Sequence, residues 1–239
     1  MRGSLRESVV RAEWMKLRGS AALWLVSLSA CFVPSIILVA RLVRPAPPQP
    51  AESFWKNAWE ANAILLLPLV VMLLTSLVVQ IETRNNTWKQ VHASPQRFVF
   101  AAKLSIILTL VAGFFLIANA AIFATALLTG RGATHLFAVR SVWLYVDLLP
   151  IVALQYLLSL HVKNFMIPLG IGVALWLAAI GGLSWKYVYV IPYGYTAMDF
   201  LQMAGARSYS RNLHVYSGAY SIAFCLAGAM LYARKEDRG

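Results

Sequence analysis

Six apolar stretches dominate this sequence and restrict the folds that are open to it. They lie near residues 20–41, 62–80, 104–128, 141–161, 166–183 and 217–233. Each is close to the roughly 20 apolar residues that a helix needs to cross a bilayer. The stretches lack the alternation of a barrel strand, and an open sheet cannot satisfy its edge hydrogen bonds in lipid. We therefore predict an all-α integral membrane protein with six transmembrane helices.

Composition indicates that this membrane domain is the whole of the chain. Of the 239 residues, 60% are hydrophobic and only 13% are charged. Soluble domains carry about 25% charged residues. The apolar stretches leave no room for a soluble domain of normal size, so we predict a single transmembrane domain over residues 1–239.

The distribution of basic residues predicts the orientation. The net charge of +12 would suit a nucleic-acid-binding protein, but the basic residues follow the order of the spans instead. With the N-terminus in the cytoplasm, the inner segments hold more lysine and arginine than the outer ones. We expect a multi-pass protein of the plasma or inner membrane with both termini cytoplasmic. Its basic residues would contact anionic lipid headgroups and not nucleic acid.

The first nineteen residues have two interpretations. Val10, Trp14 and Leu17 recur at helical spacing, which is typical of an interfacial helix lying on the membrane. The segment 1–19 would equally serve as a charged cytoplasmic flank of the first span.

Two further segments are predicted to lie outside the membrane. Residues 42–61 contain four prolines and read as an outer loop, with Trp55 and Trp59 forming an interfacial turn before the second span. Residues 184–216 combine many aromatic side chains with short apolar pieces. That combination favours re-entrant helices at the outer surface before the last span.

The sequence contains no recognisable catalytic or nucleotide-binding motif. G-x-x-x-x-G-K-[ST], H-E-x-x-H and G-x-S-x-G are all absent. Cys31 and Cys225 lie inside apolar runs and read as small core residues. We expect no metal and no cofactor bound by this chain, because the four histidines fall in four separate predicted loops without metal-ligand spacing. These are His92, His135, His161 and His214.

Few polar residues interrupt the spans. Asp147 lies in the fourth span and is either a functional residue or the partner of Arg140, seven residues earlier on the same helix face. Asn119 and Gln155 are candidates for interhelical hydrogen bonds or for a substrate pathway.

The last span carries a repeat of small residues. Ala219, Ala223 and Ala227 recur every four residues. Small residues at this spacing let two helix backbones approach closely. The repeat predicts close helix packing, either within one chain or between two chains.

A polar break over residues 81–103 separates the second and third spans. Thr87, Trp88 and Val91 stand at helical spacing and would form an apolar contact, while Pro95 would turn the chain into the third span. A short stiff helix on the membrane surface is suited to transmit force from a soluble partner. Because the spans hold few ionisable residues, we favour such an external energy source over ion coupling. The alternative is an ordinary solvated loop.

The residues of this break resemble a known family. The run Glu82-Thr-Arg84-Asn-Asn86-Thr-Trp88-Lys89-Gln, followed by Ser94-Pro95, is similar to the loop after the second span of type-2 ABC exporter permeases. The similarity is greatest to the branch that protects against lantibiotics and bacitracin. The charged lead-in from Glu13 to Ser20 and the aromatic region 184–212 resemble that family too. The resemblance implies that one set of residues couples to an ATPase: Glu82, Arg84, Asn86, Thr87, Trp88, Lys89, Val91 and Pro95.

The resemblance also implies a function and partners. The chain would be the non-enzymatic membrane subunit of an ATP-driven exporter, working with an ABC ATPase subunit that binds ATP and Mg²⁺ and with a second permease chain, identical or different. It would move an amphiphilic antimicrobial peptide or similar toxin outwards. A second contact with the ATPase would come from the short hairpin residues His161, Lys163 and Asn164.

Other functions remain open at the level of the sequence. One is an ABC exporter of another drug or lipid. Another, of a different class, is a channel or ion-coupled carrier that acts alone. An intramembrane enzyme is disfavoured because the sequence lacks a catalytic constellation.

Overall fold

The structure is a computed structural model. It describes residues 11, 14–15, 17, 19–44, 50–84, 96–130, 136–162, 164–209 and 212–233. These residues form helices, turns and short irregular connections, with no β-strand among them, which confirms the all-α prediction for the described chain. The elements in chain order are α1 (Ala21–Val43), α2 (Ala51–Ala61), a π turn (Asn62–Leu66), α3 (Leu67–Arg84), α4 (Gln96–Leu128), α5 (Leu136–His161), α6 (Met166–Gly181), α7 (Tyr195–Met203) and α8 (Leu213–Ala233).

Five helical stretches within the described residues are long and apolar enough to cross a membrane. They are Ala21–Val43, Ala51–Gln80, Phe98–Leu128, Val139–His161 and Leu213–Leu231. The sixth predicted span corresponds to α6, which is apolar but has only 16 residues. At 1.5 Å per residue it is about 24 Å long, shorter than the roughly 30 Å hydrocarbon core. Its status as a span stays a prediction.

The helices form one bundle, in which α5 packs against several of the others. Helix α8 packs along α5, and α3 packs against α5 from another side. Helix α1 lies against α3 and α4, and α8 also contacts α4, so the elements close into a ring. Apolar side chains fill its centre, among them the fully buried Leu74, Ile107, Leu148 and Ile151. Helix α6 packs outside this ring, against α3 and α5.

The two ends of the bundle are formed by different helices. At the hairpin end, α3 and α5 finish while α4 and α6 begin. Contacts across it join Ser76 Oγ to Ser159 Oγ at 3.4 Å and the Tyr156 hydroxyl to the Phe100 carbonyl at 3.0 Å. The opposite end, the α7 end, holds α2, α7 and the first turns of α5 and α8.

Helix α4 is longer than a bilayer requires. It has 33 residues and is therefore about 50 Å long. Helix α4 starts at Gln96 and α3 runs to Arg84, so residues 81–84 and 96–103 of the predicted coupling loop are helical. Such a helix is long enough to project beyond the hydrocarbon core.

The predicted outer loop at 42–61 is largely wrong, because α2 occupies its second half. Helix α2 continues through the π turn into α3. Trp59 stacks on Phe115 at 5.4 Å, and the Trp55 ring lies 6.3 Å from that of Phe200. Both tryptophans are completely buried. They fill the α7 end of the bundle and do not form an interfacial turn.

The aromatic region before α8 is compact. It contains two 3-10 turns, Val188–Val190 and Pro192–Gly194, followed by α7. Helix α7 packs against α5 and the π turn. At nine residues it is too short to cross a bilayer, and its re-entrant position stays a prediction. The last helix starts at Leu213, slightly earlier than the sequence predicted.

The described N-terminal residues are helical. Arg11 and Trp14 are exposed, whereas Leu17 is buried against the bundle. Most of the segment 1–19 lies outside the described residues, so both of its interpretations stay open.

Candidate functional site

A buried polar cluster joins α5, α7 and α8 at the α7 end. Asp147 on α5 is fully buried. Its Oδ2 lies 2.9 Å from His214 Nδ1, and its Oδ1 accepts a hydrogen bond of 2.6 Å from Ser217 Oγ. His214 and Ser217 lie three residues apart on α8, so one face of that helix presents both to α5. Both oxygens of the Asp147 carboxylate are therefore satisfied by α8.

Asp199 on α7 adds a second carboxylate to the cluster. One ligand atom from each of Asp147, Asp199 and His214 lies within 4.8 Å of the other two. Asp199 is only 3% exposed, and its Oδ2 has no hydrogen-bond partner. Burial, followed by the neighbouring charge of Asp147, raises the pKa of the Asp199 carboxyl well above its usual range. Two acidic groups thus lie close together in the interior of the protein.

The described residues provide little positive charge to this cluster. Their ion pairs bring neither a lysine nor an arginine to Asp147 or Asp199, and His214 is the basic partner present. The His214 ring stacks on Trp143 at 4.4 Å, which fixes its orientation. Its side chain is one-third exposed, so the cluster meets the surroundings of the bundle at this histidine.

The predicted alternative that Arg140 pairs with Asp147 is wrong. Arg140 instead binds Glu52 Oε1 on α2 at 3.2 Å and lies over the Trp55 ring at 5.5 Å. Seven residues return to one helix face but separate two positions by about 10 Å along the axis. That spacing is too long for a direct ion pair. Asp147 is therefore free to face α8.

The histidines are also placed differently from the prediction. His214 stands in the first turn of α8 and His161 in the last turn of α5, not in loops, while His92 and His135 lie outside the described residues. Asp199 falls in the segment 184–216, which the sequence predicts to lie at the outer surface. Its flanking residues, Met198 and Phe200, are the signal that could have placed it in a buried helix.

An apolar groove begins one helical turn away from the cluster. Ser221 Oγ donates to the Ser217 carbonyl at 2.6 Å, which links the two features along α8. The groove encloses about 260 Å³ between α4, α5 and α8 and has almost no polar lining. Its walls are Leu104, Leu108, Leu149, Val152, Ala153, Ser221, Ile222, Cys225 and Leu226.

The other two predicted polar residues make interhelical hydrogen bonds away from the cluster. Gln155 Nε2 donates to the Pro168 carbonyl of α6 at 3.0 Å, and Gln155 Oε1 accepts from the Tyr193 hydroxyl. Asn119 Oδ1 accepts from Ser141 Oγ of α5 at 3.0 Å. The structure thus does not bring Asn119, Asp147 and Gln155 into one site.

The predicted ATPase-contact residues that the structure describes lie at the hairpin end. Glu82 and Arg84 belong to the last turn of α3. The side chain of His161 binds the Leu157 carbonyl at 2.9 Å, and that of Asn164 accepts from the Met166 amide at 3.0 Å. The remaining predicted contacts lie outside the described residues: Asn86, Thr87, Trp88, Lys89, Val91, Pro95 and Lys163.

Comparison with known proteins identifies a family. Residues 9–179 match a family described as "ABC-2 family transporter protein". The match includes α1 to most of α6 and the segment between α3 and α4, but it ends before α7 and α8. No curated protein and no solved structure matches the chain.

Proposed function

The chain belongs to the family of ABC-2 transporter proteins, and from this premise we propose that it is the membrane subunit of an ATP-driven exporter of amphiphiles. An antimicrobial peptide or a similar membrane-active toxin is the proposed cargo. The chain itself carries no catalytic motif, and ATP with Mg²⁺ binds to a separate ATPase subunit.

The groove between α4, α5 and α8 is the observation that supports an amphiphilic cargo. Its walls are apolar, and two of them, Ile222 and Leu226, are exposed on the outer face of the bundle. An apolar body can enter such a groove sideways from lipid. The polar cluster, one turn away, would face the headgroup end of the cargo.

The hairpin end is the proposed docking surface for the ATPase. Helix α3 ends and α4 begins at this end, near the hairpin residues His161 and Asn164. Helix α4 is long enough to extend past the hydrocarbon there, so a push on its first turns would reach the bundle core. A second permease chain, identical or different, would complete the transporter.

We assign the hairpin end and both termini to the cytoplasm. The bias of basic residues supports this orientation. The α7 end then faces outwards, with α6 as the sixth span and α7 as a re-entrant helix.

Docking is tested by substituting Trp88. Anchor truncations at interfaces often cost 2 kcal/mol or more, which is over tenfold in affinity. We expect Trp88→Ala, and Glu82→Lys by charge reversal, to lower the ATPase recovered per mole of folded permease by at least tenfold. Trp24→Ala is the matched control, because Trp24 is exposed on α1. Unchanged recovery with both coupling variants would contradict docking at this loop.

The cargo is tested by filling the groove. Ile222 is exposed and lines it, so Ile222→Trp should fold but occupy the space. In the reconstituted complex, we expect a cationic amphiphilic peptide to stimulate ATP hydrolysis with the wild type and not with this variant. Ile171→Trp, on the exposed surface of α6, should retain stimulation. Equal stimulation in both variants would exclude the groove as the cargo site.

The buried cluster favours a second candidate function, that of an ion-coupled carrier acting alone. Ionisable residues buried between helices are typical of such carriers. Transport by the purified chain in liposomes without an ATPase subunit would establish this candidate, and strict dependence on the ATPase and ATP would exclude it.

A further inference from the structure

The buried cluster brings two carboxyl groups and one imidazole together, and one of its polar atoms has no partner. Asp147 and Asp199 are both enclosed, and one imidazole faces them. Asp199 Oδ2 is buried without a hydrogen-bond partner. Thr196 Oγ1, three residues earlier on the same face of α7, is also buried without one. Buried polar atoms are almost always satisfied, and Asp199 Oδ2 is the unsatisfied atom that belongs to the cluster.

We propose that Asp147, Asp199 and His214 bind one divalent cation of the zinc type, which fastens α7 to α5 and α8. Carboxylate oxygens and an imidazole nitrogen form a mixed ligand set that suits Zn²⁺. Ca²⁺ and Mg²⁺ require six or more oxygens and are poorly served here.

The site is wider than a bound zinc ion requires, so the ligands would have to move closer together on binding. The ligand atoms lie within 4.8 Å of one another, whereas tetrahedral zinc with bonds near 2.0–2.1 Å holds its ligands about 3.3 Å apart. Small movements of α7 would bring Asp199 into range. A supporting layer is already present, since Ser217 donates to Asp147 and Trp143 stacks on His214.

This site goes beyond the proposed export function. The family match ends at residue 179, so two of the three ligands lie outside it. The ligands come from three separate helices, and the ion would act as a cross-link that holds α7 in place.

Zinc binding to the full-length chain tests the proposal directly. The chain is purified in detergent with Cys31→Ser and Cys225→Ser, which removes thiols that would compete for the ion. After EDTA treatment, isothermal titration with Zn²⁺ should give one site per chain, and Zn²⁺ should raise the melting temperature while equal Mg²⁺ does not. Asp199→Asn and His214→Gln should each weaken binding at least tenfold.

His161→Gln is the matched control, because this histidine stands on α5 at the opposite end of the bundle. It should bind Zn²⁺ like the parent chain. The proposal is overturned if the parent chain binds no zinc, or if His214→Gln binds as tightly as His161→Gln. If Asp199→Asn does not fold, His214→Gln decides alone, since His214 is partly exposed.

Discussion

Single residues set how closely α6 approaches the bundle. A Cβ atom at Gly172 would lie 2.7 Å from Gln155 Oε1 and 2.7 Å from Met72 Sδ. Gln155 is held in place by Pro168 and Tyr193, so it cannot yield without losing hydrogen bonds. Because Gly172 has no side chain, α6 can pack directly against the buried amide of Gln155.

Substitution of Gly172 should be costly while a neighbouring glycine tolerates it. Gly172→Ala overpacks this contact, and we expect a loss of about 1–3 kcal/mol in the free energy of unfolding. Gly170→Ala, two residues away in the same helix, meets nothing within 4 Å and should be neutral or stabilising. Denaturant unfolding in detergent measures both, and equal stabilities would show that Gln155 and Met72 relax freely.

At the scale of elements, hydropathy predicts the long helices and misses the amphipathic ones. Helices α1, α4 and α5 follow from their apolar runs, because length and composition decide membrane crossing. Helix α2 was not predictable in this way, since Glu52 and Lys56 alternate with buried tryptophans and prolines precede it. Its helical state depends on the packing of its indole rings, which only the tertiary structure shows.

Helix α8 has small residues on two different faces, one exposed and one packed against the bundle. The small-residue repeat leaves Ala219 and Ala223 exposed, and this face is free of contacts within the described chain that would bury it. Gly228 instead packs inwards, where a Cβ atom would lie 3.1 Å from the Phe100 ring. The exposed face is available to lipid or to a second permease chain, and the Gly228 face closes the bundle.

Two leucine substitutions distinguish these faces. Gly228→Leu should destabilise the isolated chain by about 1–3 kcal/mol or more, because it forces Phe100 to move. Ala223→Leu should leave the melting temperature of the isolated chain unchanged and weaken its assembly with a second permease chain, as seen by size-exclusion chromatography with light scattering. If assembly is unaffected by Ala223→Leu, this face contacts lipid.

At the scale of the whole molecule, the order of helices was predictable and the composition of the site was not. Asp147 stood out because a charge in an apolar run is rare. Its partners could not be inferred, since Asp199 and His214 follow much later in the sequence and periodicity carries no information on which helices pack together. Only the folded bundle brings Asp147, Asp199 and His214 close together.

Accessibility to thiol reagents tests the proposed orientation of this bundle. On a background lacking Cys31 and Cys225, a cysteine at position 47 should react with an impermeant reagent added to intact cells. Cysteines at positions 90 and 237 should react only after the cells are opened, because both would be cytoplasmic. Labelling of position 90 from outside would reverse the assignment of the hairpin end.

The residues of the cluster lie far apart along the chain, so they are synthesised at different times. His214 follows Asp147 by 67 residues, which is an interval of about 3–13 s at 5–20 residues per second. His214 and Ser217, the two residues of α8 that bind Asp147, are made only at or after the end of this interval. A nascent α5 thus carries an unmatched acid, at a cost of up to about 2.5–3.5 kcal/mol in lipid. A chain that ends before residue 214 would lack both residues of α8 that bind Asp147.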